Sequence, residues 1–155
     1  MNHREKYLLD TQTLFGRDVC QRATKPLRDG VEILISVDAS SPFTLVRKAK
    51  DTVIEDRVAI KPDMRLDVPP KALQQCLDLK TEEIGELGVE ILKLMAHSDP
   101  DFRIRVKLHV GLFDFLLNGY LGILPLGGPT VMKFLASRGL TGIGKIKEAI
   151  ARLRT

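Results

Sequence analysis

Phe102-Arg-Ile-Arg-Val-Lys-Leu-His-Val110 alternates without a break. Phe102, Ile104, Val106, Leu108 and Val110 point one way; Arg103, Arg105, Lys107 and His109 point the other. A period of two predicts a strand with one dry face and one wet, basic face. The most apolar run of the chain follows: Gly111-Leu-Phe-Asp-Phe-Leu-Leu-Asn-Gly-Tyr-Leu-Gly-Ile-Leu-Pro-Leu-Gly-Gly-Pro-Thr-Val-Met-Lys-Phe-Leu-Ala136. It approaches membrane-spanning length, but Asp114, Asn118, Gly119, Gly122 and Pro125 interrupt it and argue against a clean transmembrane helix. The pattern instead predicts a helix from about Leu112 to Tyr120, a glycine-punctuated link to Gly128, and a helix opened by Pro129 that runs through Ser137. A half-buried strand feeding broken apolar helices needs something to cover or something to hold.

Upstream, the period of two recurs. Val31, Ile33, Ile35 and Val37 alternate with Glu32, Leu34, Ser36 and Asp38. Further strands are predicted at Phe43–Lys48, Thr52–Val58 and Met64–Val68, joined by short turn-forming links. Short connections favour antiparallel neighbours, so the four strands read as a meander. Residues 4–24 carry helical spacing that Pro26 ends. Pro70–Leu77 reads as a short helix with Pro at its first position. Thr81 is placed to cap a longer helix whose apolar face is Ile84, Leu87, Gly88, Ile91, Leu94 and Met95.

A chain of 155 residues is the size of one domain. The expected organisation is a helical segment 1–30, a sheet with helices 31–136, and a basic C-terminal helix 137–155. With 44% hydrophobic and 28% charged residues the chain is globular rather than disordered. Trp is absent and aromatics are 5%, which argues against a stacking platform for single-stranded nucleic acid. Cys20 and Cys76 belong to no metal-spaced pair and read as reduced thiols, and no apolar secretory signal opens the chain; both point to the cytoplasm. Residues 138–155 hold Arg138, Lys145, Lys147, Arg152 and Arg154 against Glu148, which equals the whole formal excess of +4.

Reaction chemistry is not visible. Glu82, Glu83 and Glu86 are explained by a helix N-terminus, where carboxylates are favoured. His3, His97 and His109 lie in different elements without metal-ligand spacing, and no nucleophile elbow occurs. No catalytic residue, metal or cofactor is expected. Leu140-Thr-Gly-Ile-Gly-Lys-Ile-Lys-Glu-Ala-Ile150 resembles the hairpin of helix-hairpin-helix DNA-binding modules, in which Gly-x-Gly admits a phosphate. Its spacing is off by one and only one copy is present. Nucleic-acid binding there, and an assembly role for the apolar run, stand as the alternatives.

The order helix, strands, helices, strand, apolar helix resembles the sterol carrier protein type-2 family. Val31–Asp38 is similar to the family's first strand, Pro62-Asp-Met-Arg-Leu-Asp-Val68 to its Pro-Asp strand, and Phe102–Val110 to its last. The likeness covers residues from about 20 to 136. The helix over 81–97 is longer than in the family, and residues 121–155 run past its usual end. The resemblance implies an α+β fold: a mostly antiparallel five-stranded sheet, helices packed on one face, and an apolar tunnel between. It further implies non-catalytic binding or transfer of a lipid, whether fatty-acyl, sterol-like or another long apolar ligand. On that reading Ile33, Ile35, Ile104, Val106 and Leu108 form the floor of a pocket. Phe113, Leu116, Tyr120, Leu124, Met132 and Leu135 form its lid, with the Tyr120 hydroxyl as a polar handle. Lys145, Lys147, Arg152 and Arg154 would meet anionic lipid headgroups.

Overall fold

The alternating stretches pair into one five-stranded sheet. The computed structural model, which describes residues 1–154, places β1 (Glu32–Val37), β2 (Phe43–Arg47), β3 (Thr52–Glu55), β4 (Met64–Val68) and β5 (Arg105–Leu108) in the order β3-β2-β1-β4-β5. The pairs β1/β2, β2/β3 and β4/β5 are antiparallel, whereas β1 and β4 are parallel. The meander expected from short links therefore stops at β3, and the sheet is mixed.

Residues 56–63 explain the change. They leave β3 and cross the outer face of β2 and β1 before entering β4. The Thr44 hydroxyl donates to the Arg57 carbonyl (2.7 Å) and accepts from the Ala59 amide (3.1 Å), and the Asp63 amide donates to the Glu32 carbonyl (2.8 Å). Eight residues reach at most about 28 Å, enough to pass two strands and return to the start of a third. The segment read as the end of a strand and a tight turn is a crossover, and Leu34, Val46 and Ala59 are buried where it crosses.

Register confirms one dry face. Ile54, Leu45, Ile33, Met64 and Leu108 lie in one cross-sheet row, and Phe43, Ile35, Leu66 and Val106 in the next. Four helices bring apolar side chains to this face: α1 (His3–Gly16), α2 (Asp18–Thr24), α3 (Pro70–Asp78) and α4 (Ile84–Met95). Leu14, Val19, Cys20, Leu73, Cys76, Leu87 and Leu94 join the strand residues in one buried cluster.

Two local departures have clear causes. The single helix predicted over 4–24 breaks at Arg17, whose backbone is extended (φ −65°, ψ 146°). From there the Arg17 guanidinium donates to the Cys76, Leu77 and Leu79 carbonyls, the groups left without partners at the end of α3. The strand predicted over 102–110 shrinks to Arg105–Leu108, because Phe102 and Arg103 turn back with their amides on the Asp99 carbonyl. Thr81 also acts outside the helix proper. Its hydroxyl accepts from the Glu83 amide and donates to Glu86, and α4 begins at Ile84.

Beyond β5 come α5 (Leu112–Leu117), a 3₁₀ turn at Tyr120–Gly122, α6 (Leu124–Ser137) and α7 (Gly142–Arg152). Helix α6 is broken at Gly128 (φ 62°, ψ −155°), so its main part starts at Pro129, as the Pro predicts. Val131, Leu135 and Ile146 form a second buried cluster, with Val89 and Leu92 of α4 packed against it. Helix α4 thus contributes to both cores. Leu87, Ile91 and Leu94 belong to the sheet side; Gly85, Gly88, Val89 and Leu92 lie toward α6.

Candidate functional site: an apolar crevice between α2, α4 and α6

The residues expected to form one pocket are divided among three places. Ile33, Ile35, Ile104 and Leu108 are buried on the core face, with Val106 beside them, and Tyr120 joins the same cluster. Leu135 is buried in the second cluster and Leu124 packs against it. Leu116 is half-buried on α5. Phe113 and Met132 face outward, 72% and 42% exposed. The physical reason is α4. Its two apolar faces fill the space over the sheet, so α6 packs on α4 instead of closing over the strands.

Tyr120 is fully engaged inside the protein. Its ring stacks on Phe115 (centroids 4.5 Å apart) and its hydroxyl donates to the Asp63 carboxylate at 2.9 Å. Asn118 donates to the same carboxylate oxygen at 2.9 Å, and the His109 amide donates to the Asp63 carbonyl. Burial first, then the Asp63 charge and hydrogen bond, push the phenol far above its usual range. The handle expected to meet a ligand ties the start of β4 to the turn after α5. Gly119 makes that turn possible. Its φ is +92°, and a Cβ there would stand 2.1 Å from the Pro26 carbonyl oxygen.

Pro26 leads to the crevice. It lies between α2 and β1, against Gly119 and Gly122 on one side. On the other it lines a hollow of about 410 Å³ together with Arg22, Lys25, Ile84 and Leu126. Pro26, Ile84 and Leu126 are its apolar walls; Arg22 and Lys25 are its cationic rim. The Arg22 guanidinium is held by Asp18 (2.7 Å) and the Glu82 carbonyl, whereas the Lys25 ammonium has no partner among the described residues. None of the five stands out in the sequence as a site residue. Ile84 reads as helix face, Pro26 as a stop and Leu126 as part of the apolar run; the basic pair Arg22 and Lys25, just before a Pro, is the available signal.

A second hollow, about 740 Å³, opens on the outer face at the end of the sheet. Its lining mixes Asp38, Asp67 and Asp101 with Arg65, Lys71, Arg103 and Arg105. Several of these charges are already satisfied. Arg65 pairs with Asp67 at 3.0 Å, and Arg103 donates to the His97 and Ser98 carbonyls. Ala39, Val68, Pro69, Pro70 and Pro100 lie among these charges, so the groove has both charged and apolar walls.

The C-terminal basic helix is part of the fold. Ile146 is buried, Ile150 packs against both clusters, and the Leu153 carbonyl accepts from the Leu108 amide at 3.0 Å, covering part of the free edge of β5. Lys145, Arg152 and Arg154 are exposed and Lys147 is half-buried. Among the described residues no cluster of His, Cys, Asp and Glu is arranged to hold a metal, and no helix is long and apolar enough to cross a membrane.

Fold and hollow together define the class: an α+β protein with a mixed five-stranded sheet, helices filling one face, and an open, mainly apolar hollow among the helices. Among solved structures the chain is similar to one described as a UbiJ-SCP2 ubiquinone synthesis protein, at 12% identity and a TM-score of 0.46, over 82% of this chain and 95% of that one. No protein-family model and no curated protein matches it.

Proposed function

We propose that this protein binds a lipid or another long apolar ligand without changing it chemically, and that the ligand enters at the crevice between α2, α4 and α6. The observation that carries the reading is the hollow itself: an open, mainly apolar depression of about 410 Å³ lined by Pro26, Ile84 and Leu126 together with Arg22 and Lys25. Volumes above about 300 Å³ are typical of small-molecule sites. The crevice lies beside a cover suited to opening, because α6 is interrupted at Gly128 and preceded by the tight turn at Gly119. Each methylene buried contributes about 0.8 kcal/mol, so a long chain needs few polar contacts. The sequence resemblance to the sterol carrier protein type-2 family supports the same class of ligand, although the entry here is among helices rather than over the strand floor.

Native mass spectrometry after mild purification is expected to find a bound lipid. A fluorescent fatty acid is expected to be taken up, and Leu126→Glu to weaken uptake about ten-fold or more, since a carboxylate would then face an apolar wall. A protein free of lipid that also ignores the fluorescent probe would overturn the proposal.

A further inference from the structure

A carboxylate that does not line the crevice holds two of its walls. Asp63 is half-buried at the entry to β4 and fixed through its backbone on both sides. Its amide donates to the Glu32 carbonyl and its own carbonyl accepts from the His109 amide, each at 2.8 Å. One oxygen of its side chain, Oδ2, accepts from both the Tyr120 hydroxyl and the Asn118 side-chain amide at 2.9 Å. No Lys or Arg among the described residues pairs with it. Two neutral donors from a single turn, 55 and 57 residues away in sequence, therefore hold this charge. Hydrogen bonds to an ionised acceptor are about twice as strong as neutral ones.

The turn that Asp63 grips leads to the crevice in both directions. On one side the Asn118 carbonyl accepts from the Arg28 amide at 2.9 Å, and Pro26 is enclosed by two glycines. A Cβ at Gly119 would stand 2.1 Å from the Pro26 carbonyl oxygen, and one at Gly122 2.9 Å from the Pro26 Cβ. On the other side the Ile123 amide donates to the Tyr120 carbonyl and the Leu126 amide to the Ile123 carbonyl, both at 3.1 Å. Pro26 and Leu126 are two of the three apolar residues of the lining; Ile84, the third, belongs to α4.

We infer that Asp63 is a positioning residue of the crevice: through Asn118 and Tyr120 it sets Pro26 and Leu126 against Ile84. This rests on the lipid-binding reading above and adds to it a residue that never touches the ligand. Walls already in place favour binding, because less ordering is lost when the ligand enters.

The test combines amide exchange with binding of cis-parinaric acid, a fluorescent fatty acid. Asp63→Asn removes the charge and keeps the size. The Arg28 amide, which reports on Asn118 directly, is expected to exchange about ten-fold faster or more. The same variant should bind the probe about five-fold more weakly. Tyr120→Phe keeps the stacked ring and loses one bond, so it should fall between wild type and Asp63→Asn and covers the case of an Asp63 variant that fails to fold. Asp56→Asn, in the same crossover but paired with Arg4 at the surface, should leave both readouts within about two-fold. Phe43→Leu lowers stability from β2, outside the crevice lining, and should leave probe affinity within about two-fold as well. Wild-type protection of Arg28 in both Asp63→Asn and Tyr120→Phe would overturn the inference, as would an equal loss of affinity in Phe43→Leu. A faster Arg28 amide with unchanged probe affinity would also overturn it and leave the lipid reading standing. A wild-type protein that ignores the probe would sink the lipid reading, and a faster Arg28 amide in Asp63→Asn would still show Asp63 holding the Pro26 wall.

Discussion

The two cores on either side of α4 are built on different principles. The sheet-side core is assembled from residues far apart in sequence, tied by strand register and filled by large side chains such as Phe43, Leu94 and Leu108, all below 2% exposed. The core on the α6 side has three buried residues, Val131, Leu135 and Ile146, with Val89 and Leu92 of α4 and a few neighbours from 121–150 packed against them. It relies on close backbone approach. A Cβ at Gly85 would stand 2.5 Å from the Gly127 carbonyl oxygen, and one at Gly88 3.3 Å from the Val131 methyl. Rows of interlocked side chains make a body that opens only by unfolding. The α4–α6 core is smaller in side-chain volume but closely packed, with Gly85 of α4 set against the Gly127 backbone of α6. On the lipid-binding proposal α6 is the cover, and it opens by separating from α4.

The strongest challenge to this contrast is to empty each core in turn. Leu94→Ala is expected to destabilise the whole protein by about 3–5 kcal/mol, since a fully buried leucine leaves a cavity between α4 and the sheet. Leu135→Ala should cost about 2–3 kcal/mol by the same rule, and its effect should be uneven. Amide exchange is expected to accelerate in α6 and α7 while the β1, β2 and β4 amides keep their protection. If Leu135→Ala speeds exchange throughout the sheet to the same degree, the molecule is one cooperative body and the cover has no independent freedom.

Alkaline pH separates the two cores by chemistry. Cys20 and Cys76 are both buried in the sheet-side cluster, and neither lies in the other. Desolvation pushes each thiol up to about 11, with Arg17 opposing the shift. The folded protein therefore holds these protons more tightly than the unfolded chain. The stabilisation is fully present below about pH 9, the value for a free thiol in water, and is lost as pH rises toward about 11. The size is of order 2 kcal/mol per thiol. Urea midpoints should fall across that interval, and Cys20→Ala with Cys76→Ala should flatten the fall. A decline unchanged in the double variant would assign it to other groups. At about pH 8 both thiols should react slowly with thiol reagents, because little thiolate forms.

Much of the sheet-side core is legible in the sequence, and little of the cover is. Alternation is strictly local, so the dry faces at Ile33–Val37 and Ile104–Leu108 can be assigned before any partner is known. Strand order cannot. Nothing in Asp56–Asp63 distinguishes a turn from a crossover until Thr44 and Glu32 are in place to receive it. The expected pocket residues part company for a related reason. Ile84, Leu87, Gly88, Ile91, Leu94 and Met95 read as one apolar face, but Val89 and Leu92, outside that face, are also packed, so α4 serves two layers. With α4 in the middle, Leu135 and Met132 cannot reach the strands. The crevice is not legible because Pro26, Ile84 and Leu126 come from three separate elements.

The subtlest test of the contrast applies one substitution, Gly→Ala, in two places. At Gly16, the last residue of α1, an added methyl meets nothing within 4 Å, and the change removes backbone freedom from the unfolded chain. Gly16→Ala should stabilise by about 0.5–1 kcal/mol and leave ligand binding untouched. At Gly85 the same methyl gains the same helix propensity, about 0.5–1 kcal/mol, but drives into the Gly127 carbonyl. The obstacle is backbone, so α6 must move away from α4, and overpacking of this kind costs about 1–3 kcal/mol. Gly85→Ala should therefore be neutral to destabilising by about 2.5 kcal/mol at most. Its informative readout is location. Faster exchange should appear in α6 on the far side of α4, and Ile84 and Leu126, which line the crevice from α4 and α6, should be displaced relative to each other. A Gly85→Ala protein that gains stability as Gly16→Ala does would mean that α4 and α6 separate without resistance. The second core would then be held by Val131, Leu135 and Ile146 alone, and the glycine seam would lose its part in how the cover opens.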